Sequence, residues 1–299
     1  MAQFPTFYFI TTDESQFILP VTDYLMEKYS SKQINLCYLG YTNPQYTLSK
    51  NSTFVELNKG NPRDINQWFS DLYQYFKSID DEYVVFTVDD NPLRHPLNFV
   101  EFQYAMEYLN CNKDVGLLFT FATENGNVIY NDDRYTICDI PPDYAHKTNS
   151  QMNIWKRTTL LKVLSSNYNN LVDFELQGWR FLDSDDKIVF FNMKNGKDLF
   201  PACQQTLCSE GRNKNYIWAL PIQKEDLEHC ILKGFIDTKQ INYNGTHTHV
   251  FPYDFFNGDF SYLKMRQYAQ QNSWNENCLS NYFSGYNISL FEQQFPHYT

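Results

Sequence analysis

The stretch Tyr83-Val84-Val85-Phe86-Thr87-Val88-Asp89-Asp90-Asn91-Pro92 decides the fold class of this 299-residue chain. An apolar and β-branched run gives way at once to two carboxylates and a turn. A strand covered on one face alternates apolar with polar residues. An unbroken apolar run is expected where helices cover both faces of a parallel sheet. The stretch therefore predicts a central strand with an acidic pair at its carboxyl end.

The flanking sequence repeats the pattern. Phe7-Tyr8-Phe9-Ile10 reads as a buried strand that opens into Thr11-Thr12-Asp13-Glu14-Ser15. Ile18, Val21 and Leu25 follow at helical spacing. Ile34–Leu39, closed by Gly40, and Thr53–Leu57, closed by Lys59-Gly60-Asn61-Pro62, read as further strands. Asp64 with Gln67 three residues on has the form of a capping box before the stripe Phe69, Leu72, Phe76 and Ile79. Beyond the central strand, Phe99, Phe102, Met106 and Leu109 predict a helix and Val115–Phe121 a strand. Residues 122–150 hold Asn-Gly, Asp-Asp and Pro-Pro and read as a long loop with room for a hairpin. Thr158–Leu164 and Phe174–Leu182 read as short helices, and Ile188–Asn192 as a strand.

Strand–helix alternation predicts an α/β fold, a mainly parallel sheet flanked by helices. Periodicity weakens after about residue 235. The expected organisation is one domain over 1–235 and a C-terminal extension over 236–299 packed on it. Ligands of such sheets bind beyond the carboxyl ends of the strands. Both Thr11–Ser15 and Asp89–Asn91 sit at such ends.

The bulk numbers exclude some function classes. With 24 basic against 35 acidic residues, the net charge is −11. Nucleic acid is disfavoured as the main partner, since affinity for it rests on Lys and Arg neutralising phosphates. Seven cysteines without a CxxC pair argue against a disulfide framework and a structural zinc site. Reduced thiols, no apolar run of about 20 residues and no basic, apolar leader predict a cytoplasmic protein without a membrane span. There is no dinucleotide fingerprint, P-loop or nucleophile elbow.

Asp89-Asp90 is the first candidate for chemistry. Adjacent carboxylates at a buried strand's end form a hard-oxygen site suited to Mg²⁺ or Mn²⁺, which take few protein ligands and complete their shell with substrate phosphates. The plainer reading is a turn, for which Asp, Asn and Pro are well suited.

Three runs carry a family resemblance. They are Trp68-Phe69-Ser70-Asp71-Leu72; Ile79 to Phe86 with Val88-Asp89-Asp90; and Gln151-Met152-Asn153-Ile154-Trp155-Lys156-Arg157 with Leu160, Leu161, Leu164 and Asp173-Phe174-Glu175. Over roughly residues 5–190 their order and spacing resemble a group of phage, giant-virus and bacterial GT-A-type nucleotide-sugar glycosyltransferases. Asn91-Pro92 stands where that group carries an aromatic residue. The resemblance implies a GT-A-like fold and transfer from a nucleoside-diphosphate sugar, a UDP-sugar first, to a hydroxyl acceptor, with inversion expected; a retaining mechanism, which would not need a base, is the alternative. It implies Asp89 and Asp90 on the metal, and Glu175 as the base that deprotonates the acceptor, with Asp173 as its rival. Either acid also suits the first turn of a helix on plain electrostatic grounds.

The resemblance further implies that Thr11, Asp13 and Glu14 contact the nucleotide, though a helix cap explains them equally. Gln151 and Trp155 join the donor and acceptor site in this reading; a core tryptophan is the alternative. His247 and His249, spaced to share one face of a strand, are candidate later metal ligands or plain loop residues. Lys194, Lys197, Arg212 and Lys214 lie in Gly-containing loops that could meet a diphosphate, though simple surface turns are the favoured reading. A glycan is the expected acceptor. A hydroxylated base of phage DNA is one alternative, and a non-catalytic carbohydrate-binding or virion-associated protein of the same fold is another.

Overall fold

The computed structural model of the chain describes residues 4–13, 16–58, 67–121, 126–141, 144, 146–166, 168, 170–202, 206–208, 216–219, 224–235 and 247–250. The chain divides into two compact units. One comprises residues 1–89 and 95–202, the other Asp90–Arg94 and Cys203–Thr299.

The first unit runs β1 (Phe7–Ile10), α1 (Leu19–Tyr29), β2 (Leu36–Gly40), β3 (Ser52–Glu56), α2 (Trp68–Ser78), β4 (Tyr83–Val88), α3 (Phe99–Cys111), β5 (Val115–Phe119), β6 (Val128–Asn131), β7 (Tyr135–Asp139), β8 (Asn153–Lys156), α4 (Arg157–Leu164), α5 (Leu171–Gln177) and β9 (Lys187–Met193). Nine strands form one sheet in the order β3-β2-β1-β4-β8-β5-β9-β7-β6. β4 pairs parallel with β1, β1 with β2, β2 with β3, and β5 with β9. β8 runs antiparallel to both β4 and β5, and β7 antiparallel to β9 and β6. Seven strands therefore share one direction, and β7 and β8 oppose them. This is the α/β architecture expected from the sequence.

Both sheet faces are covered, which is why the strands of the decisive stretch read as unbroken apolar runs. Tyr8, Ile10, Leu39, Val84, Phe86, Phe119 and Trp155 pack with Phe69 and Phe76 of α2, Leu160 of α4 and Phe174 of α5 in one continuous core. Alternate residues face the other way. Phe7 meets Phe102 of α3 at a centroid distance of 6.0 Å, and Phe9 meets Tyr38 at 5.3 Å.

Three differences from the sequence reading have clear causes. β8 lies in what reads as the approach to a helix, because only Ile154 and Trp155 supply an apolar signal there. Its insertion between β4 and β5 is set by partners far away in sequence. The 122–150 segment, in agreement with the sequence reading, contains the β6–β7 hairpin. The helix read over Phe174–Leu182 is α5 followed by a 3₁₀ turn at Gly178–Phe181. α2 begins at Trp68 with Gln67 at the N-cap and no side-chain cap bond, so Gln67 does not act as the third residue of a capping box; Asp64 lies outside the described residues.

The second unit contains β10 (Thr206–Cys208), β11 (Tyr216–Ala219), α6 (Lys224–Leu232) and β12 (His247–Val250). β11 pairs antiparallel with β10 and parallel with β12. The extension expected over 236–299 falls, apart from β12, outside the described residues.

Candidate functional site

The topology decides which residues can meet. β1, β4 and β5 end at the same edge of the sheet. An antiparallel strand starts where its neighbours end, so β8 is entered from that edge. Its first residue, Asn153, pairs with Phe86 of β4. Ser150 lies three residues before Asn153, and Asp89 lies three residues beyond Phe86. Both leave the last paired rung by the same number of steps, at the carboxyl edge where a ligand of such a sheet binds.

Asp89 is buried, and its backbone is fixed on two sides. Its N–H donates to the Ile10 carbonyl at 3.0 Å, and its carbonyl accepts from Thr22 Oγ1 of α1 at 2.5 Å. Neither bond uses the carboxylate. Thr11, also buried, continues the β1 ladder by donating its N–H to Leu39 at 2.9 Å. Its methyl lies where a side chain on Gly40 would be, 2.7 Å from the position of such a Cβ. Glycine at the end of β2 is what lets Thr11 close over it. Asp13 is an exposed turn residue, and Glu14 lies outside the described residues. Asp90 belongs to the second unit and is buried.

The approach to β8 is a run of small buried polar residues, Thr148, Asn149 and Ser150. Buried polar groups must be hydrogen-bonded, and here the partners form a connected network. Thr120, just past β5, donates its N–H to Asn153 Oδ1 at 3.1 Å and its hydroxyl to the Met152 carbonyl at 2.5 Å. Asn153 Nδ2 and the Gln151 N–H both donate to Asn149 Oδ1. Thr148 Oγ1 donates to the carbonyls of Phe174 at 2.7 Å and Glu175 at 3.2 Å, tying the segment to α5.

Glu175 is held by this network. Its Oε1 accepts from the Ser150 N–H at 3.0 Å and the Ser150 hydroxyl at 2.5 Å. Its Oε2 faces His146 Nδ1 at 3.7 Å, beyond hydrogen-bond length. One oxygen is anchored, and the other lacks a bond of this kind from His146. Asp173 is placed differently. Its N–H is capped by Asn170 Oδ1 at 2.9 Å, and its Oδ2 lies 3.4 Å from Asn170 Nδ2, as a first-turn acid of α5.

Gln151 is exposed beside this network. Trp155 is fully buried in β8 and packs with Phe174 at 6.3 Å, so its ring belongs to the core and offers no wall to a sugar. Lys194 donates to Thr136 Oγ1 at 3.1 Å and to Asn131, pinning the β6–β7 hairpin. Lys197 is exposed, and Arg212 and Lys214 lie outside the described residues. His247 and His249 lie on β12, opposite Tyr216 and Trp218 of β11. Among the described residues, no three His, Cys, Asp or Glu side chains gather as a ready metal cage.

The sequence reading missed Ser150, Thr148, Asn149 and Thr120. The available signal was the polar run Thr148-Asn149-Ser150-Gln151 ahead of Met152, Ile154 and Trp155, which marks a polar segment entering a covered sheet.

The chain is similar in fold to solved glycosyltransferase structures. One is the mannosyltransferase PcManGT from Pyrobaculum calidifontis in complex with GDP-Man and Mn²⁺, at 13% identity and TM-score 0.36, over 62% of this chain and 55% of that one. Another is the galactosyltransferase LgtC in complex with donor and acceptor sugar analogues, at 12% identity and TM-score 0.33, over 62% and 73%. A third is S. aureus TarS, at 11% identity and TM-score 0.38, over 62% of this chain and 35% of TarS. The match thus spans about a third of TarS and about half of the mannosyltransferase. No protein-family model and no curated protein sequence matches the chain. No helix among the described residues is long and apolar enough to cross a membrane.

Proposed function

We propose that the chain is a glycosyltransferase that moves a sugar from a nucleoside-diphosphate sugar to a hydroxyl acceptor with inversion. The observation that carries this reading is the Glu175 carboxylate, anchored by Ser150 at the sheet edge to which β4 delivers Asp89. The sequence resemblance supports the same residues in the same roles.

Two donors on Glu175 Oε1 fix the orientation of the carboxylate. Oε2 then serves as the base that takes the proton from the acceptor hydroxyl as that oxygen attacks the anomeric carbon. The bond to the diphosphate breaks on the opposite side, and the electron pair leaves with the diphosphate. Holding the base in place before the acceptor arrives lowers the cost of reaching a productive geometry.

Asp89 and Asp90 are the carboxylates that would hold Mg²⁺ or Mn²⁺. They are a pair and not a cage, which suits a cation that takes its remaining ligands from a substrate diphosphate. A metal bound there supplies Lewis-acid stabilisation of the leaving group. Thr11 and Asp13 lie at the neighbouring strand end and are assigned to the nucleotide, a UDP-sugar first. The acceptor is a glycan, since the net charge of −11 opposes docking on a phosphate backbone. Free thiols at Cys37, Cys138 and Cys230 suit a cytoplasmic location.

Calorimetry with UDP-, GDP- and CMP-sugars in the presence of Mn²⁺ tests the reading. Saturable binding of one donor, lost in Asp89→Asn and in Asp90→Ala, is expected. If no donor binds, the enzyme reading fails. If a donor binds equally well to both variants, the acidic pair is not the site.

A further inference from the structure

Beside Glu175 lies a cluster that none of the sequence motifs uses. Trp179 stands in the 3₁₀ turn that continues α5, four residues past Glu175, and is 38% exposed. Its indole N–H donates to the Leu176 carbonyl at 3.1 Å, which fixes the ring. Lys147 Nζ lies 4.6 Å from the ring centroid and the Arg180 guanidinium 5.8 Å from it. Phe181, two residues on in the same turn, is also exposed. An indole held in one orientation at the surface offers a flat apolar face with cations beside it.

Lys156 and Arg157 donate to backbone carbonyls, and Lys113, Arg134, Lys162 and Lys187 each pair with a carboxylate. Among the described residues, neither Lys147 nor Arg180 has one within ion-pair distance. The strip is continuous with the proposed base, because His146 faces Glu175 Oε2 while the next residue, Lys147, lies over Trp179.

We propose that Trp179, Lys147 and Arg180 form the acceptor platform, and that the acceptor is a saccharide carrying an anionic group. This rests on the reading of Glu175 as the base. The flat apolar face of a sugar ring stacks on the indole. The guanidinium fork and the ammonium pair with a carboxylate or a phosphate on that sugar or its neighbour. A nucleic acid would need a longer track of cations than two, in a chain that carries a net charge of −11.

The test follows the indole N–H signals of the ¹⁵N-labelled full chain, which has five tryptophans. Trp179→Phe identifies the Trp179 signal by its loss. Glucuronic acid and glucose 6-phosphate are titrated against glucose, without metal or sugar nucleotide. The Trp179 signal is expected to move saturably with both anionic sugars, with glucose about tenfold weaker. Lys147→Glu with Arg180→Glu should erase that difference, as should high salt. A response to only one of the two identifies the anion as carboxylate or phosphate. Equal affinity for glucose, or no movement with any sugar, overturns the proposal. So does movement with a thymidine decamer alone, which would make the strip a nucleic-acid surface. Failure here with donor binding intact removes the platform only. Failure of the donor titration with the indole response intact removes the enzyme reading and leaves a saccharide-binding surface.

Discussion

Ser150 donates both its backbone N–H and its hydroxyl to the same oxygen of Glu175, at 3.0 Å and 2.5 Å. Two donors on one oxygen set the direction of the other. Ser150→Ala removes the shorter bond and keeps the N–H. If Ser150 positions the base, kcat falls about tenfold, the size of one hydrogen bond to a charged group, while donor affinity is unchanged. Ser150→Thr should restore most of the rate. Glu175→Gln should abolish transfer and leave donor binding intact. Steady-state rates beside calorimetric donor affinities decide the matter; a Ser150→Ala defect confined to donor binding would remove Ser150 from this role.

Gly178 makes this arrangement possible in the next layer. A Cβ there would lie 2.7 Å from Thr148 Oγ1 and 2.7 Å from Val163 Cγ1. Thr148 is the residue that ties the Ser150 segment to the carbonyls of Phe174 and Glu175. Gly178→Ala is therefore expected to cost about 1–3 kcal/mol of stability by overpacking and to lower kcat with it. In a double-mutant cycle, Thr148→Ala should recover part of the lost stability. Additive losses in chemical denaturation would show that the contact with Thr148 is not the cause.

The same residues show what was legible in the sequence. β4 was readable from Tyr83 to Val88 because burial on both faces leaves a local signature, an unbroken apolar run. The exit of β4 into Asp89 was readable for the same reason. β8 was not, because a four-residue strand between β4 and β5 is specified by partners about 35 and 70 residues away in sequence and carries only two large apolar side chains. With β8 unseen, nothing predicted that residues 148–150 would be brought to the carboxyl edge, so Glu175 could be named by resemblance but its anchor could not. Trp155 illustrates the converse. A tryptophan beside a site motif fits a sugar wall or a core equally until its strand is known to be central, and here it is fully buried.

A pH dependence of stability is expected from the join between α4 and β9. Lys162 Nζ lies 2.6 Å from Asp186 Oδ2 and 2.5 Å from Asp183. Burial alone would raise Asp186, but its bonds from Lys162, Thr159 and the Asp183 N–H outweigh that and hold it below the usual carboxylate range. Lys162 is raised, first by its bond to Asp183 and then by that to Asp186. A depressed carboxyl stabilises the fold above its unfolded value and loses that contribution as pH falls through the folded value. A raised amine stabilises below its unfolded value and loses the contribution as pH rises through the folded one. The pair therefore contributes fully between roughly pH 4 and pH 10. The half-exposed lysine limits its worth to about 1 kcal/mol. Denaturation midpoints measured across acid pH should fall less steeply in Asp186→Asn than in the parent, and an unchanged acid limb would dismiss the pair as the source.

Asp23 explains how β2 and β3 can be neighbouring parallel strands without a helix between them. The connection from Tyr41 to Asn51 is irregular, so it needs partners for its polar groups from outside itself. Asp23, fully buried on α1, supplies them. It accepts from the Ser49 N–H at 2.7 Å, the Ser49 hydroxyl at 3.1 Å, the Tyr46 hydroxyl at 3.2 Å and the Ser52 hydroxyl, with the Tyr38 hydroxyl at 3.4 Å. Burial, and then the Asp23 charge, push Tyr38 well above the usual tyrosine range, so it remains a donor throughout. Asp23→Ala strands these donors in the interior and is expected to cost about 3 kcal/mol or more. Asp23→Asn keeps the shape but turns one acceptor into a donor, and should cost less. Hydrogen exchange separates this from a general loss of fold: in Asp23→Asn the Ser49 amide should lose protection while amides of β1 and β4 keep theirs. Equal loss across the sheet would mean that Asp23 serves the core at large and not the β2–β3 connection.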